Sequence, residues 1–256
     1  MCYSLEGRVA TLTLDHPENR NALTPELLDE LGTGLEAAQA DDAVRIVMLT
    51  NIGPAFCAGA DLKARRSTAN ASAYGLPDIL SLIQDSPKPV IGRIAGHCMG
   101  GGVGLAAACD VSVAVDHATF GFTEVRIGVA PAVISVVVLP KLRRSDALEL
   151  FLTGERITAE RAAEVGLITK AVATDALDGV VDGVVDQLLA GGPQAMAAIK
   201  ELVRVVPEMD RADAYRLTAQ RSSELFASEE AAAGMAAFRE RRPAPWAPNG
   251  DRGRGN

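Results

Sequence analysis

Residues 89–110 read Pro-Val-Ile-Gly-Arg-Ile-Ala-Gly-His-Cys-Met-Gly-Gly-Gly-Val-Gly-Leu-Ala-Ala-Ala-Cys-Asp, and their order decides the fold. A short apolar run, Pro89 to Ala95, predicts a buried strand, and a glycine cluster then leads into an alanine-rich helix. Working outward, Arg45 to Thr50 and Val111 to Val115 are further β-branched runs, separated by segments long enough for crossover helices. Ile168 to Val172 follows a helix predicted to end at Gly166. This βαβ rhythm predicts an α/β fold. Towards the N-terminus, Cys2–Leu5 and Arg8–Leu14 predict a hairpin around Glu6-Gly7. Thr24-Pro25-Glu26 then supplies an N-cap, a proline at the first helical position and an early acid for a helix carrying Leu27, Leu28, Leu31 and Leu35. Beyond Val172 strand signals stop. Gly191-Gly192-Pro193 divides a core, residues 1–190, from a helical region, residues 191–242. Residues 243–256, rich in Pro, Gly and Arg, are expected to form a mobile tail.

The 256 residues, 48% hydrophobic and 23% charged, suffice to bury a large core. Against 33 acidic residues stand 25 Lys and Arg, a net charge of −8, which disfavours nucleic acid and anionic membranes as partners. The apolar run Val129–Leu139 contains Pro131, falls short of the ~20 residues of a membrane span, and reads as core. The first residues lack the layout of a signal peptide. Cys2, Cys57, Cys98 and Cys109 form no C-x-x-C pair, so neither a metal site nor a disulfide framework is expected, and a reducing, cytoplasmic setting fits.

Three segments carry candidate chemistry. Ala55-Phe-Cys-Ala-Gly-Ala-Asp61-Leu62 is dominated by small residues, as where a backbone approaches a ligand, or where a loop is simply tightly packed. Gly100-Gly101-Gly102 opens a helix whose N-terminal amides can receive an anion or a developing oxyanion. Gly102-Val-Gly104-Leu-Ala-Ala107 also matches a loose dinucleotide pattern, but at least three predicted strands precede it, where such a loop normally follows the first. In Phe120-Gly-Phe-Thr-Glu124-Val-Arg126-Ile-Gly128 a single carboxylate stands among apolar residues. Buried, Glu124 would exchange protons near neutrality; read alone, a Glu two residues from an Arg is more often a surface ion pair, here with Arg126. There is no G-x-S-x-G elbow, and His16, His97 and His117 carry no acid at a telling offset.

In order and spacing these segments resemble the crotonase superfamily, the enoyl-CoA hydratases and isomerases. Besides the three above, the carriers are His16-Pro-Glu-Asn-Arg-Asn-Ala-Leu23, Lys88-Pro-Val90, Cys109-Asp110, Leu152-Thr-Gly-Glu-Arg156, Ala163–Leu167 and Ala237-Phe-Arg-Glu-Arg-Arg-Pro243. The resemblance implies a βαβ spiral core with a helical C-terminal trimerisation region, assembled as a homotrimer or as a hexamer of two trimers. It implies an acyl-CoA thioester substrate, with no further cofactor and no metal. The backbone N–H groups of Ala60 and Gly101 would hold the thioester oxygen, and Glu124 would be the acid/base. Asn19, Arg20, Ala22, Leu23, Ala58, Asp61, Leu62 and Lys63 would border the CoA moiety, and Phe238 and Arg241 would reach it from the C-terminal helix.

Two departures stand out. Many hydratases of this family place a first Glu just after the glycine cluster, where this chain has Gly104. A family Pro-Gly-x-Gly-Gly stretch reads Pro131-Ala132-Val133-Ile134-Ser135 here. Both resemble a 3-methylglutaconyl-CoA-hydratase-like subgroup, in which Arg126 would meet a distal carboxylate or serve as a structural ion-pair partner. The subgroup resemblance places enoyl-CoA hydration first. A Δ3,Δ2-enoyl-CoA isomerase using Glu124 alone is the alternative, and an acyl-CoA-binding protein without turnover is an alternative of another class.

Overall fold

The computed structural model describes residues 1–61 and 72–247. They form two compact units, one of Met1–Ser86 with Val90–Val181, the other of Pro87–Pro89 with the chain from Asp182 onward.

In the first unit β1 (Cys2–Glu6) pairs antiparallel with β2 (Val9–Leu14), the chain turning through Gly7 at φ +59°. Helix α1 (Pro25–Ala40) starts where the sequence predicts: Thr24 Oγ1 accepts from the Leu27 N–H at 3.2 Å. Its Leu27, Leu31 and Leu35 are wholly buried, each contributing about 1.5–3 kcal/mol of apolar burial. The chain continues through β3 (Ile46–Asn51), β4 (Ala55–Cys57), α2 (Leu76–Gln84), β5 (Val90–Ile94), β6 (His97–Met99), α3 (Gly101–Ala108), β7 (Val111–Val115) and β8 (Thr119–Gly121). It ends with α4 (Ala132–Val138), α5 (Arg144–Thr153), β9 (Arg156–Thr158), α6 (Ala159–Glu164) and β10 (Lys170–Val172).

Among the described residues one sheet has the order β1-β2-β3-β5-β7-β10, parallel from β2 onward, and a second has the order β4-β6-β8-β9. Three strands of the first sheet, β3, β5 and β7, are each followed at once by a three-residue strand of the second (β4, β6, β8). The chain thus climbs as a spiral, with the short strands paired side by side in their own sheet. Close backbone approach makes this possible. A Cβ on Gly96 would stand 2.5 Å from the Pro54 carbonyl oxygen, and one on Gly102 would stand 2.2 Å from that of Cys57, so neither position admits a side chain.

The run Val129–Leu139 departs from its reading as core. Ile134, Val137 and Val138 are buried, but Val136 is 70% exposed and Val129, Val133 and Leu139 are also exposed. The cause is geometric: a short helix that is apolar on every side turns only one face inward.

The second unit is helical. It takes the later part of α7 (Leu177–Ala190), then α8 (Pro193–Val205), α9 (Arg211–Phe226) and α10 (Glu229–Arg239). Gly191-Gly192-Pro193 forms the break between α7 and α8, whereas the compact units divide earlier, between Val181 and Asp182 within α7. The Glu230 carboxylate accepts from the Gln194 and Ala195 N–H groups at 2.9 and 3.0 Å, capping the first turn of α8 from α10. Arg221 pairs with Glu201 to join α9 to α8, and Trp246 Nε1 donates to Ala190 O at 3.0 Å. Residues 248–256, most of the expected tail, lie outside the described residues. Among those described, no helix is long and apolar enough to cross a membrane, and no cluster of three or more His, Cys, Asp or Glu could hold a metal.

Candidate active site

The turn before α1 is built on Asn21. Arg20 and Asn21 are successive left-handed residues, at φ +58° and +54°, a conformation that asparagine tolerates better than most. Wholly buried, Asn21 accepts from the His16 N–H at 2.7 Å and donates to Ile52 O and Ala55 O at 3.1 and 2.8 Å. This single side chain ties the turn to the β3–β4 connection. Segment 20–23 then runs along segment 58–61: Ala58 N–H donates to Arg20 O at 3.0 Å, Leu23 N–H to Gly59 O at 2.8 Å, and Asp61 N–H to Leu23 O at 3.4 Å.

That pattern orients Ala60. In the isolated parallel bridge between Leu23 and Ala60, Leu23 uses the groups of residues 59 and 61, so the Ala60 N–H points to the opposite side. That is the side on which β4 pairs with β6, but β6 ends at Met99 and the chain turns into α3. Gly101 is the first residue of α3, where helical N–H groups have no partner within the helix. Among the described residues neither the Ala60 nor the Gly101 N–H donates to another backbone group. The two stretches are in contact: a Cβ on Gly59, which has φ +86°, would stand 3.2 Å from Gly101 N.

Glu124 lies in the short 3-10 segment Thr123–Ile127, closed by Gly128 at φ +75°. Its carboxylate takes the space that Gly100 leaves open. At φ +49°, Gly100 would carry a Cβ only 2.7 Å from Glu124 Oε1, and its N–H donates to Gly121 O at 2.9 Å. Glu124 Oε2 is buried and, among the described residues, has no hydrogen-bond partner. Burial pushes the carboxyl pKa above its ordinary value, partly offset by a hydrogen bond from its own backbone N–H.

Position 104 lies one turn further along α3. The Gly104 N–H donates to Gly100 O at 3.2 Å, so the two positions share a face of the helix about 6 Å apart. A Cβ on Gly104 would stand 2.4 Å from Ile134 Cγ2, with Leu80 Cδ2 at 3.7 Å. Glu124 thus packs over Gly100, and Ile134 packs over Gly104.

Leu23, Ala58, Ala60, Asp61, Gly101 and Glu124, all expected site residues, line one cleft of about 790 Å³ in the first unit. Asp61 and Glu124 are the charged groups among its described lining residues, and the wall from Ile127 to Ile134 is largely apolar. Asn19, Arg20 and Ala22 lie in the turn bonded to segment 58–61 rather than in the lining. Leu62 and Lys63 lie outside the described residues. Phe238 and Arg241 belong to the second unit, where Phe238 is 85% exposed. Arg126 is exposed, does not line the cleft, and rests its stem near Gly154.

Sequence reasoning missed Asp29. One of its carboxylate oxygens accepts from Ser72 Oγ at 2.7 Å, Ala73 N–H at 2.8 Å and Tyr74 N–H at 3.1 Å, and Ser72 and Tyr74 line the cleft. The Tyr74 ring lies over Gly32, whose absent Cβ would fall 2.4 Å from Tyr74 Cγ. The available signal was an acid one turn ahead of a helical glycine. His97 is structural, its Nδ1 accepting from the Thr119 N–H at 3.1 Å to join β6 to β8. Burial pushes the Cys57 thiol up to about 12, which removes it as a nucleophile.

A spiral of paired strands that ends at one half-buried carboxylate and at two amides with no backbone partner among the described residues is the arrangement that the crotonase resemblance implies. The enoyl-CoA hydratase/isomerase family model matches residues 4–249, and the chain belongs to that family. It is 34% identical over 253 residues to a carnitinyl-CoA dehydratase of Proteus mirabilis, covering 94% of this chain and 95% of that protein. Among solved structures it resembles an enoyl-CoA hydratase of Mycobacterium smegmatis with 32% identity and a TM-score of 0.88, covering 96% and 98% of the two chains. It also resembles one from Shewanella pealeana with 31% identity and a TM-score of 0.89, covering 95% and 94%.

Proposed function

We propose that the chain is a Δ3,Δ2-enoyl-CoA isomerase that moves one proton with Glu124. The observation that carries this reading is the half-buried Glu124 carboxylate, with a raised pKa and an oxygen that has no partner among the described residues, where a hydratase would add a second acid from position 104. The thioester oxygen accepts from the Ala60 and Gly101 N–H groups, with the N-terminus of α3 behind the second. As charge develops on that oxygen, each donor is worth about 10²–10³ in rate. Glu124 removes a proton from C2 of a 3-enoyl thioester, the electrons pass into the carbonyl, and the same carboxyl returns the proton to C4. One C–H bond breaks and one forms, so the net reaction consumes no water.

The sequence alone places hydration first. The geometry supports proton relocation, because Gly104 carries no group to hold a water opposite Glu124. Hydration remains the second reading, favoured by the names of the hydratase and dehydratase relatives. Segment 19–23 and Asp61 border the CoA moiety in either reading. The exposed apolar residues Val136 and Leu152, each 70% exposed, support association with further copies as a trimer or as a dimer of trimers. Incubation with 2-enoyl- and 3-enoyl-CoA in heavy water, read by mass spectrometry, tests the reaction: double-bond migration supports it, and addition of a whole water without migration overturns it.

A further inference from the structure

We infer that Ile134 determines which product forms, by filling the place beside Glu124 that a nucleophilic water would need. This deepens the isomerase reading and rests on it. The side chains of Glu124 and Ile134 both pack on one face of α3. Glu124 packs over Gly100 and Ile134 over Gly104, one turn further on, and the Gly104 N–H to Gly100 O bond fixes the spacing. The two packing positions are therefore about 6 Å apart along the helix, and both side chains line the same cleft. The isoleucine is not a loose neighbour. Ile134 is 2% exposed, and its Cγ2 occupies the volume that a Cβ at position 104 would enter.

A water there would need two to four polar partners. Ile134 and Leu80, the side chains nearest the vacant Cβ position of Gly104, offer none, and neither does Gly104. Glycine at 104 and isoleucine at 134 are thus one device: the first removes a side chain and the second fills the space left. Hydration requires that a water oxygen bond to C3 while its proton passes to Glu124 and a proton from Glu124 goes to C2. With the water position filled by hydrocarbon, the 2-enoyl thioester formed when Glu124 returns its proton to C4 gains no water at C3, and the isomer leaves as product.

Purified full-length wild type, Ile134→Thr, Ile134→Ala and Ile134→Val are each incubated with trans-3- and trans-2-hexenoyl-CoA, and the ratio of 3-hydroxyacyl-CoA to double-bond isomer is read by mass spectrometry. Threonine keeps the β-branched shape and adds a hydroxyl that can hold a water; alanine opens the space; valine does neither to the same degree. The ratio should rise at least tenfold in the Thr and Ala variants and stay within twofold of wild type in Val. Circular dichroism identifies any variant that fails to fold, and the remaining one of Thr or Ala decides. An unchanged ratio in a folded Thr or Ala variant that still isomerises overturns the role of Ile134 alone. A wild type that hydrates without isomerising overturns it together with the isomerase reading.

Discussion

Gly100 and Glu124 share one volume: the Cβ that Gly100 lacks would stand 2.7 Å from Glu124 Oε1 and 3.1 Å from its Cδ. The glycine is required twice over, because its φ of +49° is also one that side chains rarely adopt. Gly100→Ala should therefore displace the carboxylate and strain the turn into α3. Turnover should fall more than tenfold and stability by about 1–3 kcal/mol, read by steady-state kinetics and urea unfolding.

The raised pKa of Glu124, caused chiefly by burial, links stability to pH. The unfolded chain releases this proton at the ordinary carboxylate pKa, while the folded chain holds it to a higher pH. Folding is therefore not penalised below the unfolded value, and a penalty grows as pH rises from there through the folded value. Glu124→Gln removes the ionisation, so the melting temperature of the variant relative to wild type should climb between acid and neutral pH. A constant difference across that window would contradict the burial of this charge. In the wild type the acidic limb of kcat/KM should lie above the range of an ordinary carboxylate, because the base is lost as pH falls through the raised pKa.

Asn21→Ala should be among the more damaging changes distant from the chemistry. It leaves His16 N–H and Ile52 O without the Asn21 partner, leaves Ala55 O only its 3.2 Å bond from Asn51 Nδ2, and puts alanine at φ +54°. Orphaned buried groups cost about 1–3 kcal/mol each, and on that scale the loss should total at least about 2 kcal/mol, measured by urea unfolding. Asn21→Asp should be nearly as costly, since a carboxylate cannot donate to the two carbonyls.

Asp29→Ala should loosen the cleft wall that begins at Ser72, whose hydroxyl Asp29 holds together with the Ala73 and Tyr74 amides. KM should rise several-fold with kcat changing less. Asp29→Asn, which keeps an acceptor oxygen at this position, should retain most of the wild-type KM. Equal losses in kcat and KM, with the Asn variant no better than the Ala variant, would contradict a role in holding the wall.

The longer strands were legible in the sequence because their alternation or β-branched runs are local. Val111–Val115 lies where it was predicted, Val90–Ile94 falls within the predicted run, and Thr24 caps α1. The second sheet was not legible: strands such as Ala55–Cys57 and His97–Met99 span three residues and show no alternation. Within the site, Ala60, Gly101 and Glu124 were found through resemblance and small-residue pattern, and they line one cleft. The packing of Ile134 over Gly104 was not, because residues so far apart in the chain meet only through the fold. Asn21 was quoted as part of a motif, but its three bonds depend on His16, Ile52 and Ala55, and no local pattern links the last two to it. The exposed side of Val129–Leu139 escaped for the opposite reason, since composition alone cannot say which face of an apolar helix turns outward.

The central claim is that Glu124 alone moves the proton, and the most direct test is Glu124→Gln with trans-3-hexenoyl-CoA in heavy water, with CoA binding measured in parallel. Isomerisation and deuterium incorporation should fall together by about 10²–10⁴, while CoA affinity stays close to that of the wild type. Deuterium incorporation and double-bond migration at wild-type rates in the variant would contradict the account.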